Sequence, residues 1–139
     1  MKRVLFVCTH NSARSQMAEG LLRHLLGDRY EAASAGTEPG GVRPLAVAAM
    51  AELGIDISGQ RSKSIDQFLS DRFDYVITVC DQARESCPVF PNAARQLHWS
   101  LPDPSQAEGD EQERLRAFRA VRDELRRRIE ATFGEDSDG

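Results

Sequence analysis

The sequence predicts an α/β fold in which helices cover both faces of a four-stranded parallel sheet. Short strand-like segments alternate along the chain with stretches whose apolar residues recur at helical spacing. When strands and helices alternate, successive strands pair in parallel, because each helix returns the chain to the end of the sheet where the previous strand began. In such sheets, ligands bind at the carboxyl ends of the strands.

Each predicted element follows from a local pattern. Strands are expected where apolar or β-branched residues cluster between turn residues, at 2–7, 30–35, 73–79 and 96–99. Helices are expected where apolar residues repeat every three or four positions, at 14–26, 44–53, 65–69 and 111–133. Charged residues of the last helix are expected to face solvent. The predicted connections include a loop or irregular helix at 81–92 and a turn at 101–104.

The 139 residues are 40% hydrophobic and 29% charged, a composition that excludes a disordered chain. We expect a single domain over residues 1–134 and a flexible acidic tail over 135–139. The net charge of -4 argues against nucleic-acid binding. No segment approaches the roughly 20 apolar residues of a membrane span, and the N-terminal apolar stretch is too short for a signal peptide. We therefore expect a cytoplasmic monomer that binds neither nucleic acid nor membrane.

The loop between the first strand and the first helix carries the strongest functional motif. Cys8 and Arg14 enclose five small or polar residues, and Ser15 follows. A tight loop that enters a helix directs backbone N–H groups into one hollow, and Arg14 can hold two oxygens of a tetrahedral anion. The predicted oxyanion-binding residues form one run: Thr9, His10, Asn11, Ser12, Ala13 and Arg14. A Cys8 thiolate at the base of this hollow would be a nucleophile.

Two other residues of the loop have specific expected roles. Ser15 is expected to form a hydrogen bond with the Cys8 thiolate or with a loop carbonyl, and Asn11 tolerates a left-handed backbone. The alternative is that Cys8 is a core residue at a strand end and that Arg14 lies on the surface. The position of the motif, between a buried strand and a strong helix, favours the functional interpretation.

Two further cysteines, Cys80 and Cys87, follow the third strand. The topology places Cys80 at the same edge of the sheet as Cys8. The spacing of the pair is too wide for the compact redox motif of two cysteines separated by two residues. From the residues alone, two interpretations remain: unrelated buried thiols, or a relay that moves oxidation from Cys8 outward by thiol–disulfide exchange.

Asp103 lies between two prolines after the fourth strand. A carboxylic acid on a rigid turn can protonate a departing oxygen, although Asp-Pro by itself is mostly a turn signal. His10 and His98 lie at no ligand spacing from the cysteines, so we predict no metal site.

The segment from Cys8 to Ser15, with Gln16-Met17-Ala18-Glu19-Gly20 after it, resembles the low-molecular-weight tyrosine phosphatase superfamily and especially its arsenate reductase branch. The resemblance extends from Lys2 to about Phe133 and implies a low-molecular-weight phosphatase-like fold. Further matching segments are Ser34-Ala35-Gly36-Thr37, Ile55-Asp56-Ile57-Ser58 and Arg119-Ala120-Val121-Arg122-Asp123-Glu124.

The resemblance implies reduction of arsenate to arsenite, with phosphate or sulfate as analogues. In that scheme Cys8 is the nucleophile, Asp103 is the general acid, and Cys80 and Cys87 form the redox shuttle. Thioredoxin then reduces the final disulfide, and no cofactor is needed. The activity would serve arsenic detoxification. Two other functions remain open: hydrolysis of a phosphomonoester, which needs neither Cys80 nor Cys87, and an anion-binding or sensing protein without turnover.

The chain departs from the family pattern at three places. Ala13 and His10 stand where many relatives have cysteine and glycine. Some reductases of this branch also bind potassium through residues that match Asn11, Glu19 and Ser34, with further oxygen ligands near position 62. Here Arg61 and Lys63 flank that position. We therefore predict no structural potassium, with the Lys63 ammonium in its place.

Overall fold

The structure is a computed structural model that describes residues 1–80, 90 and 92–134. Its strands are β1 (Lys2–Cys8), β2 (Tyr30–Gly36), β3 (Phe73–Thr78) and β4 (Ala93–His98). Its α-helices are α1 (Arg14–Leu26), α2 (Pro44–Ala51) and α3 (Glu111–Phe133). Two short 3-10 helices lie at Ile65–Phe68 and Pro104–Gln106.

The four strands form one parallel sheet in the order β2-β1-β3-β4. The predicted fold class is therefore confirmed. Strand β1 has neighbours on both sides, and its residues Val4, Leu5, Phe6 and Val7 are fully buried. Helix α1 packs against β1 and β2, and α3 packs against both α1 and α2. The loop that follows β1 thus starts from the most constrained strand of the sheet.

Two predicted boundaries differ from the structure by more than one residue, and the others agree to within one. Strand β4 begins at Ala93 rather than at position 96, because it is an edge strand whose exposed Ala94 and Arg95 give no strong apolar signal. Helix α2 ends at Ala51 rather than at position 53, since the chain turns to reach Gly54 at φ +76°. The predicted loop at 81–92 lies almost entirely outside the described residues, as does the predicted tail at 135–139.

Helix α3 begins with a capping box in which Asp110 and Glu113 satisfy each other's backbone N–H groups. Its buried side chains are Phe118, Val121, Arg122, Leu125, Ile129 and Phe133. Arg122 contradicts the expectation that the charges of this helix face solvent. It is 8% exposed and donates to the Ala49 carbonyl and the Glu52 carboxylate, both at 2.8 Å. These two hydrogen bonds connect α3 to the C-terminal end of α2. Among the described residues, no helix has the length and apolarity needed to cross a membrane.

Candidate active site

The loop of residues 8–13 lies at the carboxyl edge of the sheet, between β1 and α1. Cys8 is the last residue of β1, is 2% exposed and pairs with Gly36 of β2. A Cβ at Gly36 would lie 2.7 Å from the Thr9 carbonyl oxygen and 2.8 Å from the Asn11 nitrogen. Only glycine lets the end of β2 approach the loop this closely.

All six carbonyl groups of residues 8–13 accept a hydrogen bond from outside the loop. Backbone N–H groups serve five of them: Thr37 to Cys8 (3.3 Å), Glu38 to Thr9 (2.7 Å), Gly40 to His10 (2.9 Å), Arg43 to Ser12 (2.8 Å) and Met17 to Ala13 (2.9 Å). The sixth carbonyl, on Asn11, accepts from the Ser62 hydroxyl at 2.7 Å. In a trans peptide the N–H points opposite to the C=O, so the N–H groups that follow these carbonyls turn toward the inside of the loop. The result is a concave set of donors suited to an anion.

Asn11 connects this backbone arrangement to the Cys8 sulfur. Its φ of 50° is in the left-handed region, as the sequence predicts for a tight loop. The Asn11 side-chain nitrogen donates to the Ser15 hydroxyl at 2.8 Å, and that hydroxyl lies 2.8 Å from the Cys8 sulfur. Because the Ser15 oxygen accepts from Asn11, its own proton is available to the sulfur. Such a donor stabilises a thiolate at Cys8.

Arg14, the first residue of α1, contacts the turn that carries Asp103. The Arg14 guanidinium donates to the Leu101 carbonyl at 3.0 Å and lies 3.7 Å from Oδ2 of Asp103. The other carboxylate oxygen, Oδ1, accepts from both the backbone N–H and the hydroxyl of Ser105, at 3.0 and 2.7 Å. Burial raises the pKa of Asp103, but the Ser105 hydrogen bonds and the Arg14 charge outweigh it and place the pKa below its usual value. Asp103 is therefore a carboxylate at neutral pH when no anion is bound.

Cys80 contacts the loop through Thr9. The two residues are 2% and 3% exposed, and the Cys80 sulfur lies 3.4 Å from the Thr9 hydroxyl. The sheet produces this contact, because β1 and β3 pair in parallel with Val7 beside Thr78. Cys8 and Cys80 are both thiols and neither forms a disulfide. The sequence predicts Thr9 only as part of the anion loop, and nothing in the sequence indicates its contact with Cys80. Cys87 lies outside the described residues.

The buried Glu19 carboxylate, which the resemblance matches to a potassium ligand, is occupied by other partners. It accepts from the Ser34 hydroxyl and from Arg23, both at 2.5 Å, and the Lys63 ammonium lies 3.7 Å away. The amide oxygen of Asn11 already accepts from the Lys63 backbone N–H at 2.8 Å. Two cations at one carboxylate leave no favourable place for a third, so these residues do not fit a potassium ion. The absence of potassium itself remains a prediction.

Two of the three histidines, His10 and His98, have a local hydrogen-bond partner. The His10 side chain is exposed, and its Nδ1 lies 2.9 Å from the Glu38 carbonyl oxygen. His10 therefore contributes its backbone, and not its side chain, to the anion loop. His98 lies 2.8 Å from the Thr78 hydroxyl through Nδ1. Within residues 1–80, 90 and 92–134, no group of three His, Cys, Asp or Glu side chains is arranged to hold a metal ion.

Comparison with known proteins places this site in a family. The family model described as low molecular weight phosphotyrosine protein phosphatase matches residues 3–136. The chain therefore belongs to that family. Within it, an arsenate reductase of Halalkalibacterium halodurans is 49% identical over 134 residues, which are 96% of each chain. The chain thus belongs with the arsenate reductases of the family, as its loop motif predicts.

Solved structures give the same assignment. An arsenate reductase in its phosphate-binding state has a TM-score of 0.85 and 38% identity, and the match covers 97% of this chain and 98% of that one. A thioredoxin-dependent arsenate reductase of Corynebacterium glutamicum has a TM-score of 0.64 and 32% identity, and the match covers 95% of this chain and 63% of that one.

Proposed function

We propose that this protein is a thioredoxin-coupled arsenate reductase that uses Cys8 as nucleophile and Cys80 and Cys87 as a redox shuttle. The observation that carries the proposal is the position of Cys80. A hydrolase needs only the anion loop and an acid, whereas here a second buried thiol contacts the loop one residue after the nucleophile. The arsenate reductases that match the chain over nearly its full length support the same function.

The first step is the capture of arsenate. The inward N–H groups of the loop and the Arg14 guanidinium hold the oxygens, and the Ser15 hydroxyl steadies the Cys8 thiolate. The thiolate attacks arsenic, one oxygen leaves as water, and a covalent cysteine–arsenate adduct forms. The arsenic is still in its oxidised state at this point.

Asp103 accepts and then donates the proton that this step requires. An arriving oxyanion competes with Asp103 for Arg14 and adds negative charge beside Oδ2, and both effects favour protonation of the carboxylate. Oδ1 accepts both Ser105 hydrogen bonds, so Oδ2, which lies 3.7 Å from Arg14, is the oxygen better placed to take up a proton. A proton that enters on the oxyanion can thus reach Oδ2 and return to the oxygen that departs.

The second step moves two electrons to arsenic. The Cys80 thiolate attacks the Cys8 sulfur, the sulfur–arsenic bond breaks with its electron pair on arsenic, and arsenite leaves. Cys87 then attacks the Cys80 sulfur, which frees Cys8 and leaves a disulfide between Cys80 and Cys87. Thioredoxin supplies the two electrons that reduce this disulfide, and arsenic detoxification in the cytoplasm is the biological setting we propose.

Cysteine variants separate this function from hydrolysis. With thioredoxin, thioredoxin reductase and NADPH, the Cys80→Ser protein is expected to release no arsenite, and the Cys87→Ser protein to release at most one equivalent. Both variants should still hydrolyse p-nitrophenyl phosphate, because Cys8, Arg14 and Asp103 are intact, and that activity controls for folding. Multiple turnovers of arsenate by the Cys80→Ser protein would contradict the relay and leave a phosphatase as the better assignment.

A further inference from the structure

We propose that Ser62 is a positioning residue for oxyanion binding. Its hydroxyl holds the Asn11 carbonyl outside the anion loop and thereby aims the Ser12 N–H into the loop. This proposal rests on the proposed function in one respect, that the loop of residues 8–13 is the substrate site. It concerns the affinity of that loop for an anion and not the redox steps.

The geometry gives the Ser62 hydroxyl a fixed direction. It accepts from the Gly41 N–H at 2.8 Å and lies 2.7 Å from the Asn11 carbonyl oxygen. A serine hydroxyl has one proton, and because Gly41 occupies a lone pair, that proton is directed at Asn11. Gly41 has a φ of +93°, a backbone conformation that favours glycine and that brings its N–H to Ser62.

The backbone carbonyl of Asn11 accepts its hydrogen bonds from side chains. The other five loop carbonyls accept from backbone N–H groups, which the fold itself holds in place. The Gln16 side-chain nitrogen also reaches the Asn11 carbonyl at 3.0 Å, but it lies 2.9 Å from both the Asn11 amide oxygen and the Arg61 carbonyl. The two amide protons of Gln16 are therefore divided among three acceptors, whereas the Ser62 proton has the Asn11 carbonyl to itself. Ser62 is therefore the dedicated donor to this carbonyl.

The peptide between Asn11 and Ser12 is also the one most in need of an anchor. Its left-handed residue occupies a sparsely populated backbone region, which persists only when its surroundings hold it there. If this peptide rotated, a carbonyl oxygen would face the anion in place of the Ser12 N–H. Loss of the Ser62 hydroxyl should thus weaken anion binding without affecting the thiols.

The test measures inorganic phosphate binding to the reduced protein, by calorimetry and by protection of Cys8 from iodoacetamide. Ser62→Ala and Ser62→Val are expected to weaken phosphate binding about threefold to tenfold, the range for one lost hydrogen bond. Ser62→Thr keeps the hydroxyl and should restore the affinity. For arsenate reduction, KM should rise by a similar factor while kcat changes less than about twofold. Ser58→Ala, which alters an exposed hydroxyl bonded to Asp56, is the matched control.

Each outcome decides the proposal. Wild-type phosphate affinity in the Ala and Val proteins would overturn it, and so would equal weakening in the Thr and Val proteins, since volume rather than the hydroxyl would then be responsible. Should Ser62→Ala fail to fold, the comparison of Thr with Val still decides. If the affinities follow the predicted order but no variant and no wild-type protein reduces arsenate, the positioning role stands and the proposed function is wrong.

Discussion

Replacing Asp103 by asparagine is expected to strengthen phosphate binding and to slow arsenate turnover. The carboxylate lies 3.7 Å from Arg14, where two unit charges attract by about 4 to 5 kcal/mol at an effective dielectric constant of about 20. The Asp103 side chain is 29% exposed, and solvent screening reduces this attraction to about 0.5 to 1 kcal/mol. An incoming anion must displace that interaction. Removal of the Asp103 charge should therefore tighten phosphate binding by about twofold to fivefold.

The same substitution removes the general acid, which typically accounts for a factor of about 10² to 10⁴ in rate. Asparagine retains an oxygen that can accept from Ser105, so the turn should persist. Calorimetry with phosphate and steady-state arsenate reduction measure the two effects. Asp56→Asn is the matched control, because Asp56 accepts the same pair of hydrogen bonds from Ser58, at 2.9 and 2.6 Å, on an exposed turn. Weaker phosphate binding together with unchanged turnover would refute the role we assign to Asp103.

Three further predictions concern single side chains. Thr9→Val removes the hydroxyl beside the Cys80 sulfur and should slow arsenite release in a single turnover about threefold to tenfold. Hydrolysis of p-nitrophenyl phosphate should change little, and an equal loss of both rates would count against a role for Thr9 at Cys80. Hydrogen bonds from Arg119 and Arg122 of α3 lower the pKa of Glu52 to about 2. The ionised Glu52 therefore stabilises the folded protein fully above the ordinary carboxyl pKa, and this stabilisation is lost as pH falls toward 2. Glu52→Gln should lower Tm at neutral pH and flatten the decline of Tm between about pH 5 and 2, and a slope as steep as that of the wild type would argue against this assignment. Lys63→Gln leaves the buried Glu19 with one cation, and its Tm should then rise more in potassium chloride than in choline chloride; the wild-type Tm should not distinguish the two salts.

The sequence predicts the architecture well because its signals there are local and strong. The apolar run of β1, the spacing of leucines in α1 and the turn residues around Asn11 all indicate the element that forms. Strand β4 is harder to predict, because an edge strand with exposed polar residues lacks an apolar pattern. Arg122 is also missed, since an arginine in a charged helix gives no sign that it will be buried against Glu52.

In the candidate site too, features set by local sequence are predictable, whereas features set by tertiary contacts are not. The run from Cys8 to Ser15 is a contiguous motif, so the order and spacing of its residues are enough to predict the loop between β1 and α1. Ser62 lies 51 residues from Asn11 along the chain, and its role depends on a loop packing that sequence spacing does not encode. The lowered pKa of Asp103 also depends in part on a tertiary contact, because the distant Arg14 approaches it only in the folded protein, whereas Ser105 is a local partner.

The most direct test of the proposed mechanism is a thiol count on the fully reduced protein before and after arsenate, with peptide mapping of any disulfide and with thioredoxin left out. The chain has three cysteines. The relay predicts that two thiols disappear, that one equivalent of arsenite is released, and that the map shows a bridge between Cys80 and Cys87 with Cys8 free. Three unchanged thiols, with arsenate acting only as a competitive inhibitor of p-nitrophenyl phosphate hydrolysis, would contradict it.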